Sequence, residues 1–173
     1  MLMTEIDIVS SLKSSKIHFI INPLFWETFD EAIRDELHNT SVWEETKFLA
    51  EDGDINPGMN TLPNDSGGIY LFVAKPDIIP NTHSYLMYVG RARCTGSQNL
   101  RKRCQEYLKE QSRPKVKRMS EGWGQYLYIR YLPLTDNTLI DLIEAEIINK
   151  ILPPFNDAIP NKQVRDAVKA FSV

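Results

Sequence analysis

Six side chains between positions 70 and 156 have the types and the order of a hydrolytic site: Tyr70, Tyr88, Arg103, Tyr107, Glu144 and Asn156. They fall in short signatures. Gly68-Ile69-Tyr70 opens one apolar run, and Tyr88-Val89-Gly90 closes another. Asn99-Leu100-Arg101-Lys102-Arg103, Leu142-Ile143-Glu144-Ala145-Glu146 and Pro153-Pro154-Phe155-Asn156 follow in turn. Phosphodiester hydrolysis needs an activated water, a clamp on the charge that develops on the phosphorus oxygens, and help for the leaving oxygen. Hydroxyls, a guanidinium and one carboxylate able to hold a divalent cation are the groups such a reaction uses.

Helical geometry sharpens the choice of carboxylate. At about 100° per residue, Ile140, Ile147, Ile148 and Ile151 all fall within about 60° of Glu144, which places Glu144 in the apolar stripe. A carboxylate there is costly unless it is paired or holds a metal. Glu146 points the other way, four residues before Lys150, where an i,i+4 ion pair accounts for it. Arg103 and Tyr107 are also i,i+4, and both flank a stripe of Leu100 and Cys104. Tyr70 and Tyr88 sit on neighbouring strands, where tyrosine usually serves packing. Gly68 and Gly90 beside them point to close backbone approach.

The elements that must position these groups can be read in order. Thr4 caps a helix to about Leu12, Glu27 to Leu37 has helical apolar spacing, and Thr40-Ser41 caps a third helix to about Ala50. Glu51 to Gly67 holds Pro57-Gly58, Pro63 and Asn64-Asp65, and reads as a loop. Strands are expected at Ile69–Ala74, Tyr85–Val89 and Gln125–Leu132, and helices at 98–110, Thr135–Leu152 and Asn161–Phe171. Arg113 to Gly124 reads as basic and irregular. The expected fold class is α+β, a small three-stranded, mostly antiparallel sheet in a β-β-α-β-α core flanked by helices. Three parts are expected: an acidic helical N-terminal extension over 1–60, the core over 66–158, and a C-terminal helix over 159–173 packed on that core.

Charge divides the chain. Residues 1–60 carry 12 acidic and 4 basic side chains, whereas residues 91–118 carry ten Lys and Arg against two Glu. The basic tract begins directly after Tyr88-Val89-Gly90, so Arg91, Arg93, Arg101, Lys102, Lys109, Arg113, Lys115, Lys117 and Arg118 are expected to meet a phosphate backbone. Such contacts give affinity and salt dependence without sequence information. No apolar run is long enough to span a membrane. The acidic start lacks the form of a secretory signal. Cys94 and Cys104 have neither the spacing of a zinc site nor that of a disulfide framework, so a reducing cytoplasm is expected.

From Gly67 to Asp157 these signatures resemble the GIY-YIG nuclease superfamily, with its five elements in the family's order. Arg103, Glu144 and Asn156 stand where the family's bacterial excision-repair incision nucleases have their arginine, metal glutamate and closing asparagine. The resemblance implies that Glu144 holds one Mg²⁺ or Mn²⁺. It further implies that Tyr70 serves as general base or orients the water, that Arg103 clamps phosphate oxygens, and that Tyr88 and Tyr107 bond the phosphate or the water. Asn156 is assigned to fixing the loop after the helix. A tyrosine needs nearby positive charge to act as a base near neutrality, and Arg91, Arg103 and the metal are the sources at hand. The tract between Tyr88-Val89-Gly90 and Asn99 is long, as is the connection from Lys75 to Ser84, which resembles the restriction enzymes of the family.

The expected activity is therefore metal-dependent endonucleolytic hydrolysis of DNA by a restriction or defence enzyme. A repair or mobile-element nuclease is the near alternative, and a non-catalytic nucleic-acid-binding subunit is the alternative of another class. Nothing in these residues selects against RNA. One such site cuts one strand at a time, so a double-strand break requires a homodimer or sequential nicking. Phe25, Trp26 and Trp43 in the N-terminal extension mark the expected contact with a second copy or a protein partner, and serve equally well as core.

Overall fold

A computed structural model describes residues 5–109 and 112–171. Four strands form one sheet in the order β1-β4-β2-β3: β1 (Glu44–Lys47), β2 (Gly67–Ala74), β3 (Tyr85–Ala92) and β4 (Leu127–Leu134). All neighbours are antiparallel. The helices are α1 (Glu5–Ser15), α2 (Pro23–Glu27), α3 (Glu31–His38), α4 (Leu100–Glu106), α5 (Pro114–Trp123), α6 (Asn137–Ile151) and α7 (Lys162–Phe171). The α+β class and the β-β-α-β-α order hold, with one strand and one helix more than the sequence reading supplies.

The extra strand replaces an expected helix. Thr40 to Val42 is a single 3₁₀ turn, and β1 then pairs with β4 from Glu44↔Tyr131 to Lys47↔Tyr128. The tetrapeptide Glu-Glu-Thr-Lys has little strand character of its own. Pairing is supplied by the otherwise open edge of β4, and Tyr131 Oη donates to Glu44 Oε2 at 2.6 Å. Phe48, directly after β1, is buried in the core. This strand, from the acidic first sixty residues, belongs to the same sheet as the signature tyrosines.

The extra helix is α5. Pro114 stands at its first position, where the missing N–H costs nothing, and Val116 and Met119 at i,i+3 bury on the sheet. Its basic residues face outward, so charge alone gives no helical signal. The expected helix from Glu27 to Leu37 begins only at Glu31, and a separate short helix, α2, precedes it. Thr28 closes α2, and Asp30 caps α3 by accepting from the N–H groups of Ala32 and Ile33. The helix expected over 98–110 ends at Glu106 and tightens into a 3₁₀ turn over Tyr107–Lys109. The cap expected at Thr4 lies outside the described residues.

Both faces of the sheet are covered, which is why β2 is buried along nearly its whole length. Tyr70, Phe72 and Ala74 face one cluster with Leu100, Cys104, Tyr107, Val116 and Met119 from α4, its following turn and α5. Ile69 and Val89 face another with Ile140, Ile143, Ile147 and Ile148 of α6, and with Ile33 of α3. Glu146 takes the outward position expected, with Lys150 Nζ 3.8 Å away. A register shift between Phe72 and Val73 leaves Met87 as the extra residue of β3. The N-terminal segment is tied to α5 by Arg118, whose Nη2 donates to the carbonyls of Ser14 and Lys16 at 2.8 and 3.0 Å. Trp43 is partly buried and donates from Nε1 to the Leu37 carbonyl at 3.0 Å, whereas Trp26 is exposed. No helix among the described residues is long and apolar enough to cross a membrane.

Candidate active site

The two tripeptide signatures meet across β2 and β3. Tyr70 and Gly90 are directly opposed, and a Cβ on Gly90 would overlap the hydroxyl and ring of Tyr70. The glycine of the second signature thus makes room for the tyrosine of the first. Gly68 has φ +145°, and a Cβ there would run into the carbonyl of Leu132 on β4. Only glycine satisfies both demands.

Behind this contact lies one network of three tyrosines and two arginines. The hydroxyls of Tyr70 and Tyr107 are 2.6 Å apart. Arg103 Nε donates to Tyr70 Oη at 3.3 Å, and its Nη1 donates to Glu106 at 2.6 Å. Arg113 Nη1 donates to the hydroxyls of Tyr88 and Tyr107 at 3.2 and 3.5 Å. Both guanidinium groups lie over the Tyr107 ring, 5.4 and 4.8 Å from its centroid.

Tyr70 has no exposed surface. Burial pushes its phenol well above the ordinary tyrosine value, Tyr107 and Tyr88 add to the rise, and Arg103 opposes it without prevailing. Burial raises Tyr88 in the same way, with Tyr107 adding and Arg113 opposing. Of the positive charges expected to activate Tyr70, Arg103 reaches it and is outweighed by desolvation. Tyr88 is the tyrosine of the three that lines a cleft.

That cleft, of about 340 Å³, lies beside β3, the edge strand of the sheet, and is walled by Tyr88, Arg91, Arg113, Glu144, Asn156 and Asp157 among others. It draws on both faces of the sheet. Tyr88 packs with the aromatic cluster, whereas Arg91 turns to α6 and pairs there with Glu144 through Nη1. Arg91 Nε is also 2.8 Å from Asp141 Oδ1. Arg93 bonds Asp141 as well, and these bonds, with Arg91 adding, hold its carboxyl below the usual range. Glu144, expected in the apolar stripe, keeps 14% of its side chain exposed, on the cleft.

Asn156 closes the far end. Its Nδ2 donates to the Val89 carbonyl at 2.8 Å, and its Oδ1 accepts from the Val89 N–H at 2.9 Å. The adjacent Phe155 N–H donates to the Met87 carbonyl at 3.1 Å. The loop after α6 therefore covers the outer edge of β3, and Pro153-Pro154 ends the helix that delivers it.

The nine basic residues expected on a phosphate backbone have divided duties. Arg113 and Arg91 line the cleft. Lys115 stands at its rim, 3.2 Å from Asp157. Lys109 is exposed beyond α4. Arg93 is held by Asp141, and Lys117 lies 3.7 Å from Glu121. Arg101 Nε donates to the Leu62 carbonyl at 2.8 Å, and Lys102 Nζ donates to the Ser97 carbonyl at 2.6 Å. With Arg118 on the carbonyls at the C-terminal end of α1, three of the nine are engaged in holding loops and segments.

Asp141 and Asp157 are site residues that the sequence reading passed over. Asp141 was within reach of it, since it lies three positions before Glu144 on one helix. Asp157 follows Asn156 and had no periodic signal.

Among the described residues, no group of three or more His, Cys, Asp or Glu gathers at one point. The donors on the cleft are the oxygens of Glu144, Asp157 and Tyr88, which suit a hard cation such as Mg²⁺ or Mn²⁺ in partnership with water and phosphate oxygens. Glu144 already receives a cation there, the Arg91 guanidinium. The donor set fits one divalent ion held through a single carboxylate. No family model, curated protein or solved structure matches the chain.

Proposed function

We propose that the chain is a GIY-YIG-type, metal-dependent endonuclease that hydrolyses DNA phosphodiester bonds, and that it works as a restriction or defence enzyme. One observation carries the reading. Tyr88 and Arg91 of β3, Arg113 before α5, Glu144 of α6 and Asn156 after it come from four separate stretches of chain and converge on one cleft. Most of the same residues are named by the order of the signatures in the sequence. The restriction assignment rests on the long loop between β3 and α4 and the long connection between β2 and β3.

The roles follow from position. Arg113 and Arg91 face the same space and present planar forks that match the non-bridging oxygens of a phosphodiester. Tyr88 carries its hydroxyl beside Arg113. With its pKa raised, it remains a neutral hydroxyl at physiological pH, which orients a water by hydrogen bonding and does not take its proton. Tyr70, Tyr107 and Arg103 act from behind. They fix the aromatic wall and the Arg113 guanidinium, so Tyr70 is a positioning residue on this geometry. Asn156 holds β3, and with it Tyr88 and Arg91, in register. Glu144 would hold Mg²⁺ or Mn²⁺, which supplies a Lewis acid and lowers the pKa of bound water. Lys115, beside Asp157, extends the positive rim along which a strand would lie. RNA offers the same diester and serves as the control substrate.

The test is incubation of supercoiled plasmid with purified protein and Mg²⁺ or Mn²⁺, beside Glu144→Ala and Arg113→Ala. Cleavage by the wild type and its loss in both variants is the expected result. Retained DNA binding without cutting of plasmid, branched DNA or RNA by the wild type would sink the nuclease reading in favour of a binding subunit.

A further inference from the structure

One guanidinium controls the carboxylate on which the proposed chemistry depends. Arg91 bridges Glu144 through Nη1 and Asp141 through Nε, two carboxylates three residues apart on the side of α6 that faces β3. The two are not equally reliant on it. Arg93 bonds both oxygens of Asp141, so Asp141 keeps a cation if Arg91 leaves. For Glu144, Arg91 is the cation shown, and the glutamate side chain is 14% exposed against 39% for the arginine. The carboxylate is largely enclosed, while the guanidinium has room to turn toward the cleft that both line.

We infer that Arg91 is the resident cation of Glu144 in the free protein. A phosphodiester entering the cleft draws the guanidinium off Glu144, and the carboxylate passes to a divalent ion. The inference rests on the nuclease reading above. A carboxylate this enclosed requires a countercharge, and a guanidinium and a divalent ion on the same oxygens repel one another. A phosphodiester matches the guanidinium fork through two parallel hydrogen bonds, so its arrival changes which partner Arg91 prefers. Metal and nucleic acid then bind interdependently, and by linkage each tightens the other by the same factor. A protein that meets Mg²⁺ without substrate keeps Glu144 closed by its own side chain.

The test reads metal binding directly. Mn²⁺ is titrated into the full chain, and the free ion is followed by electron paramagnetic resonance. The wild type, Arg91→Gln, Arg91→Lys, Glu144→Gln and the Arg91→Gln/Glu144→Gln pair are compared without nucleic acid. Arg91→Gln is expected to bind Mn²⁺ more tightly, within the roughly 5- to 150-fold range of ordinary coupling. The gain should vanish in the double variant, and Arg91→Lys should stay near the wild type. A short phosphorothioate duplex should tighten Mn²⁺ binding to the wild type and should do so far less in Arg91→Gln. Unchanged or weaker Mn²⁺ binding by Arg91→Gln, with Glu144 still required, overturns the handover and leaves the nuclease reading in place. So does a wild type whose Mn²⁺ affinity ignores the duplex, a measurement that needs no variant. Mn²⁺ affinity indifferent to Glu144 in every background removes the metal site and the nuclease reading together.

Discussion

Tyr70 lies across Gly90, residue against residue in the β2–β3 register, at a spacing that excludes even a methyl group from the glycine. The tyrosine is fully buried, and its hydroxyl reaches Tyr107 and Arg103. The two signatures are thus one packing unit, and the glycine is as much part of the network as the hydroxyls.

Gly90→Ala should therefore act on both stability and the site. The added methyl must displace the Tyr70 ring or part the strands, at a cost of about 1–3 kcal/mol. A lowered denaturation midpoint with an altered near-ultraviolet circular dichroism signal is expected. A midpoint equal to that of the wild type would show that the ring has room to move.

Asn156→Ala should open the outer edge of β3. Two backbone groups of Val89 lose their partner, at about 1–3 kcal/mol if they stay shielded from water. Amide hydrogen exchange at Val89 is the sharpest reading, and it should accelerate more than exchange in β4. Equal acceleration across the sheet would mean global destabilisation and no local clip.

Basic residues should separate by salt dependence of DNA binding. Lys115→Ala should lower the slope of log affinity against log salt by about one. Arg101→Ala should leave that slope unchanged and reduce stability, because its Nε holds the Leu62 carbonyl. The opposite pattern would assign Arg101 to the phosphate backbone.

Alkali should unfold the protein early. Burial raises Tyr70 and Tyr88 above the ordinary value of 10, and burial with the Glu44 hydrogen bond raises Tyr131 to about 12. The folded state thus keeps these protons where the unfolded state loses them. Their contribution is complete below about pH 10 and falls as pH rises through the folded values. Unfolding monitored against tyrosinate absorbance should show these three phenols titrating with the loss of structure. Free titration near pH 10 in a chain that remains folded would contradict the burial.

The parts of the fold that the sequence made legible are those with strong local signals. The β2 and β3 runs are apolar and bounded by turn residues. The 100° periodicity of α6 put Glu144 toward the sheet and Glu146 away from it. The lone strand β1 was not legible, because Glu44 to Lys47 have no alternation, and their pairing is decided by an edge more than eighty residues away. By sequence, Arg113 is only one basic residue in a basic tract. Its bond to Tyr88 joins residues 25 positions apart through a fold that no local pattern announces. The depth of Tyr70 was equally hidden, since a strand tyrosine beside a glycine looks the same whether it faces water or α4. The Pro114 start of α5 was a signal available and passed over in favour of its charge.

The position of α6 in the chain has a further consequence during synthesis. The β2–β3 hairpin and the α4–α5 basic tract leave the ribosome before α6, and β1 waits for a partner until β4 is made, with Glu44 and Tyr131 separated by 87 positions. Of the six signature side chains, Glu144 and Asn156 emerge last. On the proposed reading, a nascent or truncated chain can present cations to nucleic acid but carries no metal carboxylate. On that reading, the metal carboxylate joins the basic cleft only once the sheet and its covering helix have both been translated.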